Sequence, residues 1–295
     1  MNAADGIDSI LPYVRIGAAF EFVVDWTTEY LGALFDGIST FVESLVDPLV
    51  DVLLAPPAIV VVLIFAALGW WLRGWKFGIG TAVGLGIVAG MPYWEETMST
   101  LALVLVASAL SLAIAVPLGI LIAENQRAAA VTRPVLDLMQ TLPAFVYLIP
   151  AIFYFGIGAV PGVIATVVFS MPPGVRLTQL GLRQIDREVI EAGEAFGASP
   201  WAVLLRTKLP LALPTIMQGV NQVIMLALSM VVIAGMVGAG GLGEVINTAL
   251  ARLQVGQGFE GGMAVVILAV VLDRLTDSIG ARTRSAKAQR ALQEA

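Results

Sequence analysis

The sequence predicts an all-α integral membrane protein, and three observations carry that prediction. Of its 295 residues 58% are apolar and 13% charged, with a mean hydropathy of +0.90, far from the balance of a soluble domain. Several apolar runs approach the roughly 20 residues that cross a hydrocarbon core of about 30 Å. Within such a core the backbone must satisfy its own polar groups, so each run is expected to be helical. Cys and His are both absent, which removes disulfides, thiolate chemistry, most zinc-type sites and the commonest general base. Catalysis by this chain alone is not expected. Its acidic amino terminus has no basic stretch followed by an apolar core, as a secretory leader would, and insertion is expected to rely on the spans themselves.

The first element is an amphipathic helix between Phe20 and Leu54. Its acids, Glu21, Asp25, Glu29, Asp36, Glu43, Asp47 and Asp51, are separated by 4, 4, 7, 7, 4 and 4 residues, which keeps them on about a third of the helix circumference. The opposite stripe is Phe, Val, Leu and Trp, and Pro48 is a candidate kink. Such a helix lies on a membrane surface by its apolar stripe or packs on the rest of the protein. Residues 1–56 are assigned to this acidic, extracytoplasmic segment.

Seven candidate spans follow, at 57–72, 77–91, 98–123, 136–157, 160–178, 212–235 and 261–279. The first two are only about 15 residues each, short for the hydrocarbon core at 1.5 Å per residue, and are expected to enter and leave together as a hairpin. The second carries Gly80 and Gly84, then Gly86 and Gly90, at the spacing that lets helices approach closely in lipid. Together the spans make a transmembrane domain at 57–280, followed by a tail at 281–295.

Lys and Arg set the orientation. Fourteen of the sixteen fall in alternate loops and the tail, while Arg15 and Arg252 fall in the other set. By the positive-inside rule the richer set is cytoplasmic, so the amino terminus is expected outside and the carboxy terminus inside.

The longest loop of the basic set, at 181–210, reads as two short helices joined at a corner. Glu191 to Phe196 has helical composition, and Gly197 suits the left-handed residue that ends a helix. Ser199 and Pro200 then supply an N-cap and a proline at the first helical position, and the second helix is expected to stop at Leu209-Pro210. In the span after this loop Gln218, Asn221 or Gln222, Met225 and Ser229 recur at intervals of three or four, on one helix face. Such side chains either hydrogen-bond across helices or line a wet path, and both roles fit the spacing. Phe145, Tyr147, Phe153, Tyr154 and Phe155 could form a cation-π cage, although bulk packing is the commoner use of aromatics in membrane cores.

The spans at 98–123 and 214–237 carry no charge, unlike ion-coupled carriers, which need ionisable groups in the membrane interior. None of the three lysines follows a glycine, so no GxxxxGK[ST] phosphate loop is present. If ATP drives this protein, another subunit hydrolyses it. Gly238 to Gly243 matches G-x-G-x-x-G but follows a span rather than a strand, which argues for a tight reversal instead of a dinucleotide site. A short helix at 244–253 is expected just beyond it.

Glu191-Ala192-Gly193, Gly197 and Leu209-Pro210 resemble the EAA loop of bacterial ABC-importer permeases, with Gly193 in place of the second alanine and Thr207 in place of the isoleucine. The stretches at 139–158, 160–178, 196–236 and 266–280 are similar to the glycine betaine/proline betaine permeases of the ProW/OpuA type, a likeness that covers roughly residues 50–280. The resemblance implies a type I ABC importer permease fold of about seven transmembrane helices in a cell inner membrane. It also implies a second permease copy, two cytoplasmic ATPase subunits that hold ATP and Mg, and an extracytoplasmic substrate-binding protein, with no nucleic acid and no cofactor on this chain. Glu191, Ala192, Gly193, Phe196, Gly197, Ser199, Pro200, Leu209 and Pro210 would then couple the ATPase to the spans, and Gln218, Asn221, Gln222, Met225 and Ser229 would border the path. Alternatives are an ABC permease for choline, carnitine, trimethylamine oxide or an amino acid, an ATP-independent carrier, and a membrane scaffold.

Overall fold

The computed structural model describes residues 16–281, and those residues form twelve α-helices with one π-helical turn and one kinked segment between them. Arg15 and the tail from 282 lie outside the described residues. Helix α1 (Ile16–Leu54) is followed by a short pair, α2 (Ala58–Arg73) and α3 (Trp75–Ala89), joined at Gly74, whose φ of 99° lies in the left-handed region that favours glycine. Then come α4 (Trp94–Glu124), α5 (Gln126–Thr141), α6 (Ala144–Phe155), α7 (Ala159–Arg183) and α8 (Arg187–Ala195). Helix α9 (Pro200–Val203) runs through a π-helical turn at Leu204–Lys208 into α10 (Leu209–Ala234), and a segment at Gly235–Ala239, kinked at Val237 and Gly238, leads to α11 (Gly241–Ala251) and α12 (Val255–Ala281).

The core is a packed trio of α4, α7 and α10. Small residues let these helices approach closely. A Cβ on Gly174 of α7 would stand 3.0 Å from Ala115 of α4 and 3.0 Å from Val223 of α10, and one on Gly119 of α4 would stand 2.5 Å from Cβ of Thr178. Ser170 donates to Ser111 across the α7–α4 seam at 3.2 Å. Helix α12 lies against α10 and α11, the α2–α3 pair packs on α12, and α5 and α6 flank α7.

Four helical runs among the described residues are long and apolar enough to cross a membrane: 94–124, 159–183, 200–239 and 255–280, or six if each of two bent pairs counts as one crossing. The sequence reading gave seven. Its span at 136–157 is two helices, α5 and α6, meeting at 100°. The break follows from Pro143, which drives Leu142 into extended backbone (φ −73°, ψ 134°) and ends α5 there. The expected packing face of α3 also differs. Of the expected Gly80, Gly84, Gly86 and Gly90, only Gly84 meets another helix, at 3.1 Å from Ile267 of α12, while Gly80 and Gly86 face open space and Gly90 caps α3. Close approach of α2 to α3 uses Gly78 and Gly69 instead.

Helix α1 carries three faces. Val24, Val42 and Val46 are buried against the body, where Thr27 donates to the Tyr154 hydroxyl at 3.0 Å and the Phe35 ring lies 4.7 Å from that of Tyr154 and 5.5 Å from that of Phe155. The acids from Glu21 to Asp51 are exposed. A third face, including Trp26, Tyr30, Leu34, Phe41 and Leu45, is apolar and also exposed. The helix turns through 100° into α2.

Candidate functional site

The corner expected at Gly197 is present in atomic detail. Gly197 has φ 79°. Its N–H donates to the Glu194 carbonyl at 2.9 Å, and the next N–H, of Ala198, donates back to the Gly193 carbonyl at 3.2 Å. These two bonds satisfy carbonyls that a helix end leaves open. Ser199 then accepts from the Ala202 N–H at 3.3 Å, and Pro200 takes the first position of α9. Glu191 pairs with Arg187 one turn earlier at 2.9 Å, with both side chains exposed.

The expected stop at Leu209-Pro210 is not found, because the helix that begins at Pro200 continues through Pro210 and breaks only at Val237 (φ −116°, ψ 22°) and Gly238 (φ 105°, ψ 9°). Proline in a helix interior clashes with the carbonyl four residues back, and here the π-helical turn relieves it. The N–H of Leu209 reaches to the Leu204 carbonyl, five residues back, which opens the turn where the Pro210 ring must fit. The arm leaving the corner and the span are therefore one rod.

Helix α8 has no buried residue. Phe196 is 94% exposed and Trp201 67% exposed, with Val189 and Leu205 exposed beside them in the sequence. Both rings are left uncovered by the described residues of their own fold. Ala192 and Gly193 lie on the same helix, and a Cβ on Gly193 would meet Val203 at 3.6 Å, so α8 folds back on α9.

Both legs of this loop reach the last turn of α4. Arg183, the final residue of α7, donates to the Ile122 carbonyl at 2.9 Å, and Gln179 donates to the same oxygen at 3.1 Å. Lys208, where α10 begins, places its ammonium 2.8 and 3.1 Å from the two carboxylate oxygens of Glu124. Sequence reasoning missed Glu124 and Lys208. The available signal was a lone acid closing an otherwise uncharged span.

The polar face of α10 divides. Asn221 donates its amide to Asp273 of α12 at 3.0 Å, which is the interhelical role. Gln218, Gln222 and Ser229 are exposed, Met225 is partly so, and Ser229 bonds back to the Met225 carbonyl at 3.1 Å. The aromatics do not converge on a cage. Tyr154 and Phe155 pack on α1, Tyr147 donates to the Met139 carbonyl and packs edge-on against Phe169, and Phe145 and Phe153 are exposed. Gly238 to Gly243 forms the reversal onto α11, where the Leu242 N–H donates to Thr100 at 2.9 Å and Asn247 donates to the Met236 carbonyl at 2.9 Å. Among the described residues no group of three His, Cys, Asp or Glu could hold a metal ion.

Residues 115–285 match the family model described as the binding-protein-dependent transport system inner membrane component. The chain is 45% identical to the glycine betaine transport system permease protein OpuAB of Bacillus subtilis (strain 168), a match that covers 93% of this chain and 98% of that one. It is 46% identical to the glycine betaine/proline betaine transport system permease protein ProW of Escherichia coli (strain K12), over 89% of this chain and 74% of that one. It is 44% identical to the glycine betaine/carnitine transport permease protein GbuB of Listeria monocytogenes, over 93% and 99%. Among solved structures, an inward-facing conformation of the MetNI methionine ABC transporter superposes with a TM-score of 0.57 at 23% identity, over 61% of this chain and 91% of that one.

Proposed function

The chain belongs to the binding-protein-dependent transport system inner membrane component family, and from that premise we propose that it is the permease subunit through which an ATP-driven importer moves glycine betaine, proline betaine or a related quaternary ammonium osmolyte. It is a transport component rather than an enzyme. Hydrolysis of ATP with its Mg belongs to a separate ATPase chain, and an extracytoplasmic binding protein delivers the solute. The observation that carries the coupling assignment is the loop at 181–210, which among the described residues leaves Phe196 and Trp201 largely uncovered and Val189 and Leu205 partly so. Each ATPase grips this loop. Its closure rotates the rod that begins at Pro200 and thereby the span, with Glu191, Ala192, Gly193, Gly197, Ser199, Pro200, Leu209 and Pro210 setting the shape of the gripped element.

Two permease copies and two ATPases complete the transporter. Polar side chains turned away from their own protomer within a span are unfit for lipid, and this favours a second copy opposite the exposed Gln218, Gln222 and Ser229, with Met225 bordering the path on the same helix face. The asymmetry of Lys and Arg supports an amino terminus outside and a carboxy terminus in the cytoplasm. In that orientation residues 1–56 lie on the outer face, 57–280 form the membrane domain and 281–295 a cytoplasmic tail. The exposed apolar face of α1, nearly perpendicular to α2, is suited to the outer membrane surface.

A second substrate reading, carnitine, rests on the relative named for both glycine betaine and carnitine. The test is ATP hydrolysis by the chain reconstituted in lipid with its ATPase and binding protein, with and without glycine betaine. Stimulation that requires both solute and binding protein supports the betaine reading. Stimulation by carnitine alone moves the substrate, and failure to bind any ATPase removes the class.

A further inference from the structure

The coupling loop leaves the body at Arg183 and returns at Lys208, and both residues are fastened to one turn of a third helix. At the end of α4 the Asn125 N–H bonds to Leu121, so the carbonyls that follow have no partner within the helix. Ile122 supplies one of them, and it accepts from both Gln179 and Arg183 of α7. Glu124, the last residue of α4, accepts two bonds from Lys208. The Lys208 side chain is only 16% exposed against 46% for Glu124, so the lysine stem is packed against the protein and brings its ammonium to the half-exposed carboxylate in one restricted position.

Three features make this more than a surface ion pair. Lys208 ends the π-helical turn that accommodates Pro210, so its position is set by the same distortion that keeps the rod continuous. The three helices are also in close contact just inside the tie. A Cβ on Gly181 would stand 3.0 Å from Thr215 of α10, and one on Gly119 would stand 2.5 Å from Thr178 of α7. Finally, α4 passes directly into α5 through Asn125, which accepts from the N–H groups of Arg127 and Ala128, and Arg176 of α7 pairs with Asp137 of α5. A displacement of the loop is thus delivered to α4 and α5 as well as to its own two legs.

We propose that the Lys208–Glu124 pair is the positioning contact that makes the coupling loop and α4 move as one body, so that ATPase closure reaches all three core helices together. This rests on the coupling assignment above and names the residues through which that site acts on the path. Without the pair the rod can rotate while α4 lags, and ATP is then hydrolysed without movement of solute. Lys208 touches no reacting atom, and its effect is on the yield of the cycle.

The experiment uses the complete transporter in proteoliposomes, recording solute moved and ATP hydrolysed in the same sample. The wild-type chain fixes the reference and tests the coupling assignment separately, because absence of solute-stimulated hydrolysis there overturns that reading before any variant is considered. Lys208→Met is expected to retain ATPase docking and hydrolysis while solute moved per ATP falls about fivefold, within the range that residues touching neither ligand impose on coupling. Lys208→Arg, which keeps the charge and its donors, is expected to restore most of the ratio. The exchange Lys208→Glu with Glu124→Lys is expected to recover more of it than either single reversal, and it covers the case in which Lys208→Met does not fold. An unchanged ratio in Lys208→Met, or uptake and hydrolysis falling in equal proportion with no recovery in the exchange, overturns the proposal.

Discussion

The amide of Asn221 on α10 donates to the carboxylate of Asp273 on α12 at 3.0 Å, and this bond separates Asn221 from the polar residues beside it in sequence. Asn221 works within the protomer, whereas Gln218, Gln222 and Ser229 are left exposed.

Asn221→Ala is therefore expected to destabilise the protein, by about 0.6 kcal/mol if the bond is of average strength for a membrane interior and up to about 1.7 kcal/mol at the strong end. Gln222→Ala is expected to leave stability unchanged and to lower uptake. Thermal unfolding in detergent, paired with uptake in proteoliposomes, separates the two, and equal loss of stability in both variants would contradict the division.

Gly119→Ala is expected to cost about 1–3 kcal/mol by overpacking, since its Cβ would crowd Thr178 and lie 2.8 Å from the Val175 carbonyl oxygen. At Gly80, where nothing lies within 4 Å, alanine is expected to be tolerated and to favour the helix by up to about 1 kcal/mol. The yield of monodisperse protein and its melting temperature report both changes.

Gly197→Ala forces a side chain into left-handed backbone at a cost of about 1–2 kcal/mol, and Gly197→Pro removes the N–H that bonds to Glu194. Glu191→Arg places a like charge beside Arg187. All three variants are expected to insert normally and to bind the ATPase less well, as read by co-purification with it from membranes.

Phe196→Ala and Trp201→Ala are expected to change stability by less than about 0.5 kcal/mol, as exposed positions do. If these aromatics anchor the ATPase, each substitution is expected to weaken binding about tenfold or more. Titration of the ATPase against the reconstituted permease measures it, and unchanged affinity in both variants would place the gripped surface elsewhere.

The corner at Gly197 was legible in the sequence because every signal in it is local: a glycine for a positive φ, a serine cap and a proline at the first helical position. The class and the full-length spans were legible because hydropathy integrates over many residues. Two features were not. The break at Leu142-Pro143 falls within an apolar run, where hydropathy reads straight through a change of direction and proline alone was no guide, since α4, α7 and α10 all continue through prolines. The Lys208–Glu124 pair joins residues 84 apart, and a single sequence carries no sign of which charges meet. The same limit applied to Pro210, where a stop and a widened turn share one residue type and differ only in the bond made by the Leu209 N–H.

Helix α8 is held by its own backbone bonds, an exposed ion pair, the turn at Gly197 and a light contact with α9 at Gly193, with none of its residues buried. A segment with so little burial opens at a small fraction of the free energy needed to unfold the whole molecule, so its amides are expected to exchange with solvent long before those of α4, α7 and α10. A protein that grips α8 must then supply the free energy of closing it, and part of the docking energy is spent on order before any is available for movement. The affinity of that partner is consequently a thermodynamic readout of how folded the loop already is, and substitutions that stiffen α8 without touching its exposed aromatics are a route to tighter docking.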